Sequence, residues 1–122
     1  MNDYQVIFYE KENGSHPAED FINSLDDKMS SKLYGLLAMM SKNGASIREP
    51  FSKHLDDGIF ELRVRFNTNA VRILYFFFSG GKIIVTNGFV KKTQKTPKSE
   101  IRKAKTYRNN YIEREVRNNE NS

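Results

Sequence analysis

Three arginines are the residues best equipped for chemistry. Arg63 and Arg65 stand two apart in "IFELRVRF", and Arg72 sits inside the apolar run "AVRILYFFF". A guanidinium offers forked, permanently charged donors that match phosphate oxygens. An unpaired charge inside an apolar strand is costly. Arg72 therefore needs either a buried ion pair, for which Glu61 on the adjacent strand is at hand, or an opening onto the same cleft as Arg63. In the second case it would hold a phosphate. Lys91 and Lys92 follow the strand end at Phe89, and Lys95 continues the basic run. Lys53 and His54 lie just before "LDDGIFELR", in a short segment able to fold back toward the sheet edge.

This set contains phosphate clamps, a candidate proton carrier and an aromatic ring for stacking, the equipment that reads single-stranded RNA. Cutting RNA without a metal requires the 2′-oxygen to attack the adjacent phosphate. One group must take its proton, another must protonate the leaving 5′-oxygen, and cations must stabilise the phosphorane. His54 is one candidate, because imidazole titrates near neutrality; the alternative is a partly buried imidazole bonded to backbone. A lysine can replace it where neighbouring cations lower its pKa. The residues leave both routes open. Other chemistries are poorly served. The two histidines, His16 and His54, form no ligand pair, and the acids at 26–27 and 56–57 suit caps and turns, so no metal site is expected. There is no cysteine, no G-x-S-x-G elbow and no glycine-rich phosphate loop.

The elements that must position these residues follow from periodicity. "YQVIFYE" is rich in β-branched and aromatic residues and reads as a strand. "HPAEDFINSL" suits a short helix with Pro17 in the first turn and Glu19 and Asp20 at its positive end. Met29, Leu33, Leu36, Leu37 and Met40 trace one face of a second helix that Gly44 can cap. From residue 59 the period becomes two: Phe60, Leu62, Val64 and Phe66 on one face, Glu61, Arg63 and Arg65 on the other. "AVRILYFFF" suits a central strand covered on both faces, and "SGGK" is a tight turn into "KIIVTNGF". Thr96 is a candidate cap and Pro97 a first-turn residue for a last helix. Its inner side runs through Ile101, Ala104, Tyr107 or Arg108, and Tyr111. The expected class is α+β: an antiparallel sheet in the order β-α-α-β-β-β-α, with three or four strands after the two helices, a helical hairpin on one face and a C-terminal helix. Residues 1–112 form a single domain, and 113–122 a flexible tail.

The chain of 122 residues has a net charge of +5. That figure conceals a division: residues 1–61 carry six Lys/Arg and eleven Asp/Glu, whereas residues 62–122 carry fourteen and four. Such polarity suits a polyanion at one surface, although basic residues also serve solubility. No apolar run is long enough to span a membrane, and "MNDYQVIFYEK" lacks the layout of a signal peptide. A cytoplasmic protein is expected.

The strings "KHLDDGIFELRVRFNTNAVRILYFF" and "NGFVKKTQKTPKSEIRKAK" resemble the HigB-like, phage-derived branch of the RelE/ParE toxin superfamily. The likeness spans about residues 4 to 112 and is strongest from 53 to 105. It implies a RelE-like twisted sheet and the toxin of a type II toxin–antitoxin pair. Such a toxin is a metal-independent, cofactor-free endoribonuclease (mRNA interferase) that cuts message at the ribosomal A site, partnered by a HigA-like helix-turn-helix antitoxin. Carried over by position, Arg72 holds the scissile phosphate, and Arg63, Lys91, Lys53 and His54 complete the catalytic set. Arg65, Phe89, Lys92 and Lys95 are then RNA contacts. The acid-and-histidine C-terminal cluster of some HigB toxins is absent after "YIERE", which leaves the general acid and base unassigned. The alternatives are a non-catalytic basic module that blocks translation, and a gyrase-directed toxin of the ParE kind.

Overall fold

A computed structural model describes residues 3–44, 47, 51–66, 68–92 and 94–120. The elements are β1 (Gln5–Phe8), α1 (Pro17–Asn23), α2 (Asp27–Asn43), β2 (Ser52–Asp56), β3 (Ile59–Phe66), β4 (Asn69–Phe78), β5 (Lys82–Val90) and α3 (Lys98–Glu120). The class is α+β, with one five-stranded sheet in the order β1-β5-β4-β3-β2.

One feature of the sheet differs from expectation. It is mixed, because β1 runs parallel to β5 while β2 to β5 pair antiparallel. A parallel neighbour demands a crossover connection, and the α1–α2 hairpin begins that connection. After the hairpin there are four strands, the larger of the two numbers expected, and the additional one is β2. "SKHLD" is short and polar and carries no strand signature, but Asp57 and Gly58 at φ 51° and 79° form a tight turn into β3. Two consecutive positive φ values are what a two-residue hairpin demands, and Asp-Gly meets that demand at little cost.

The alternation in β3 decides what each face of the sheet touches. On the first face Leu62 and Val64 join Val71, Ile73, Tyr75, Ile83 and Val85 against Ile22, Met29, Leu33, Leu37 and Met40 of the helical hairpin. Asp26 Oδ1 caps α2 by accepting from Met29 N at 2.9 Å. At the other end Gly44, at φ 44°, lies so close to the Tyr4 ring that a Cβ has no room. On the second face Ile59, Leu74, Phe76 and Ile84 pack with Tyr9 and with Ala104, Tyr107 and Tyr111 of α3. The helix covers only part of that face. Beyond it stand the arginines. β4 is buried from Ala70 to Phe76, as a central strand must be.

α3 also differs at both ends. Pro97 O accepts the amides of Glu100 and Ile101, so Pro97 is the last residue before the helix and Thr96 is not its cap. The helix continues to Glu120, through most of the segment expected to be a flexible tail. Glu115 pairs with Lys82 at 3.8 Å, and Arg114 donates to Glu10 O. These long-range partners are invisible in the polar string "EREVRNN". Among the described residues no helix is long and apolar enough to cross a membrane.

Candidate active site

Register builds the site. Arg63 on β3 lies directly opposite Arg72 on β4, and Arg72 lies opposite Phe89 on β5. Like charges side by side repel, and the arrangement is tolerable because Glu61 stands between them. Its Oε1 is 3.1 Å from Arg63 Nε and 3.5 Å from Arg72 Nε. Glu61 is 1% exposed and Arg72 6%. The ion pair considered from sequence thus exists, but it does not satisfy Arg72. Nη1 donates to Val71 O at 3.2 Å, whereas Nε is buried without a hydrogen bond. Burial works against the charged guanidinium and Glu61 works for it; Arg63 and Arg65 add repulsion. The group remains a cation, since arginine does not give up its proton in proteins.

Thr96 completes the carboxylate's shell. Its hydroxyl donates to Glu61 Oε2 and ties the segment after β5 across to β3. A cleft of about 280 Å3 opens between them, lined by Lys53, Glu61, Arg63, Lys91, Lys95 and Thr96 among others. Lys53 reaches it because β2 pairs Lys53 with Glu61. Lys91 is anchored through its backbone, which donates to Ala70 O at 2.8 Å. Partial burial lowers the pKa of its amine, and Arg72, Arg63 and Arg65 push the same way against Glu61. A lysine among cations is the arrangement that makes an amine available as a base.

The residues singled out from sequence do not all converge. Lys53, His54, Arg63, Lys91 and Lys95 all line the cleft. The His54 ring, however, sits edge-on to Phe60 at 5.0 Å, and its Nε2 accepts the Gly58 amide at 3.1 Å. That imidazole steadies the β2–β3 turn. Arg72 and Arg65 line a second cavity of about 320 Å3, shared with Arg63. Phe89 is partly buried against the second core, and Lys92 is exposed. Tyr107 stacks on Tyr9, and Tyr111 packs edge-on against Phe76 and Phe78, so both act as packing groups. Sequence reasoning treated Glu61 only as a partner for Arg72, although alternation already placed it on the Arg63 face. Thr96 and Phe51 gave no signal of a place at the site. Among the described residues no three acidic or histidine side chains converge as a metal site.

Comparison with known proteins adds one match. The family model described as phage derived protein Gp49-like (DUF891) matches residues 20–109. No curated protein matches the chain.

Proposed function

The chain belongs to the phage-derived Gp49-like family, a RelE/HigB-like toxin family, and from that premise we propose that it is the toxin of a type II toxin–antitoxin pair and cuts messenger RNA on the ribosome. The reading takes its branch as HigB-like and its antitoxin as a helix-turn-helix protein. One observation carries it: an amine with a lowered pKa, Lys91, shares a cleft with Arg63, beside the buried and incompletely bonded Arg72. In this mechanism Arg63 and Arg72 hold the scissile phosphate. Neutral Lys91 takes the 2′-hydroxyl proton, and the 2′-oxygen attacks phosphorus. The P–O5′ bond breaks, and the ammonium of Lys53 protonates the departing 5′-oxygen. The products are a 2′,3′-cyclic phosphate and a 5′-hydroxyl. The guanidinium pair stabilises the extra phosphorane charge, the kind of contribution often worth about 10²–10³ in rate per donor.

Primer extension on a defined message with programmed ribosomes tests this. Discrete cuts with wild-type protein, reduced at least about 100-fold by Arg72→Ala, are expected. His54→Ala should cut within a few-fold of wild type. Intact message throughout would remove the nuclease reading. The Glu61–Arg72 ion pair favours one second reading, in which Arg72 is structural and the basic surface binds RNA and blocks translation without cutting. Arrested translation with intact message selects it.

A further inference from the structure

The second cavity has a composition of its own. It lies where β3 runs past the end of β2, whose pairing stops at Leu62. Its apolar lining comes from Leu36 of α2, Val64 of β3 and Phe51. Phe51 is 53% exposed, a high value for a large aromatic side chain beside a cavity. Around this lining stand Arg63, Arg65 and Arg72, and Lys32 reaches the same place, where its Nζ donates to Arg65 O at 2.8 Å. The volume of about 320 Å3 falls at the lower end of the range for small-molecule sites, about 300–1,000 Å3.

An apolar slot beside an open aromatic ring, ringed by cations, complements a flat ring carrying an anion. We infer that this cavity is a nucleotide subsite: it takes the base of a single-stranded nucleotide against Phe51, with that nucleotide's phosphate on the arginines. Two observations point the same way. Arg63 lines both the cavity and the catalytic cleft, so a chain whose phosphate lies on Arg63 has a base within reach of the slot. Arg72, 94% buried, brings to the cavity wall a guanidinium whose Nε faces Glu61 at 3.5 Å and whose Nη1 donates to Val71 O, so the rest of the fork is held against the cavity by fixed partners. Aromatic stacking tolerates any base, because every base has a π-face; the slot would therefore position a flanking nucleotide more than select its identity. The inference rests on the reading of Arg63 and Arg72 as phosphate contacts.

The test is NMR titration of the full chain with the four nucleoside 5′-monophosphates, beside ribose 5-phosphate as the probe without a base. The nucleotides should shift the Phe51 ring and the Leu36 and Val64 methyls, whereas ribose 5-phosphate should bind more weakly and leave the Phe51 ring unshifted. Phe51→Ala should weaken nucleotide binding roughly 5- to 150-fold, the usual cost of losing a stacked base, down to the ribose 5-phosphate level. Phe51→Tyr should restore it. Because Phe51 is half exposed, neither variant should alter the thermal melt. Equal binding of nucleotides and ribose 5-phosphate overturns the subsite. So does an unshifted cavity at millimolar ligand, which would leave the slot to an apolar side chain of a protein partner. Message cleavage measured in parallel separates the two ideas. Cleavage with a cavity indifferent to nucleotides removes the subsite alone; nucleotide binding without cleavage removes the nuclease reading alone.

Discussion

At the scale of single residues, the site depends on how one carboxylate is shared. Glu61 meets Arg63, Arg72 and the Thr96 hydroxyl at once, and so holds two repelling guanidiniums at neighbouring register positions. Removing one partner of a buried ion pair commonly costs about 3–5 kcal/mol, so Glu61 is as much a structural residue as Arg72. Lys91 is different. It is only partly buried, and its amine is shifted by burial first and by three arginines second. A lysine shifted downward is neutral over a wider pH range than a free one. If it is the base, cleavage rises with pH through the lowered pKa and levels off above it, at a pH below the ordinary lysine range. A pH–rate profile of message cleavage should show this rising limb, and Lys91→Arg should abolish it along with most of the activity. A falling limb in its place would make Lys91 the acid.

At the scale of elements, close approach matters more than propensity. Gly88 of β5 faces α1, and a Cβ built there would lie 2.6 Å from both Ile73 Cδ1 and a Phe21 ring carbon. The helical hairpin can sit on the sheet only because that position has no side chain. Gly88→Ala should therefore destabilise the fold by about 1–3 kcal/mol, the usual cost of overpacking, as a lower denaturant midpoint with an unchanged m-value. An unchanged midpoint would mean that α1 shifts freely. Much of this level was legible in sequence. The α2 stripe, the period of two in β3 and the apolar β4 state their buried faces directly, because burial and periodicity are local properties. The end of α3 was not legible, because Glu115 and Arg114 are held by partners on β5 and beyond β1. β2 was legible only as a segment able to fold back toward the sheet edge, because its pairing is supplied by β3 and not by its own residues.

At the scale of the whole molecule, the charge division in the sequence becomes a geometric one. The acidic half supplies the helical hairpin on the first face, and the basic half supplies the arginines and all the cleft lysines except Lys53. On the proposed function, such a surface should bind single-stranded RNA with a strong salt dependence. The slope of log affinity against log salt is about −0.7 per phosphate neutralised. Arg63→Ala should flatten the slope by about 0.7, whereas a substitution at Lys28, outside both cavities, should leave it unchanged. Filter binding across a salt series measures both, and equal slopes for the two variants would mean that RNA does not bind at the cleft.

The sequence by itself determined the class of elements, the buried stripes and the face of β3 that carries Glu61, Arg63 and Arg65. Each of these is set by residues within a few positions of one another. Only the tertiary structure decided that β1 lies parallel beside β5 and that Thr96 reaches Glu61 instead of capping a helix. It likewise decided that His54 Nε2 accepts the Gly58 amide while Lys91 meets the arginines. These are contacts between residues distant in the chain, and register and packing choose them. A residue's type says what it can do; its neighbours across the sheet decide which of those things it does.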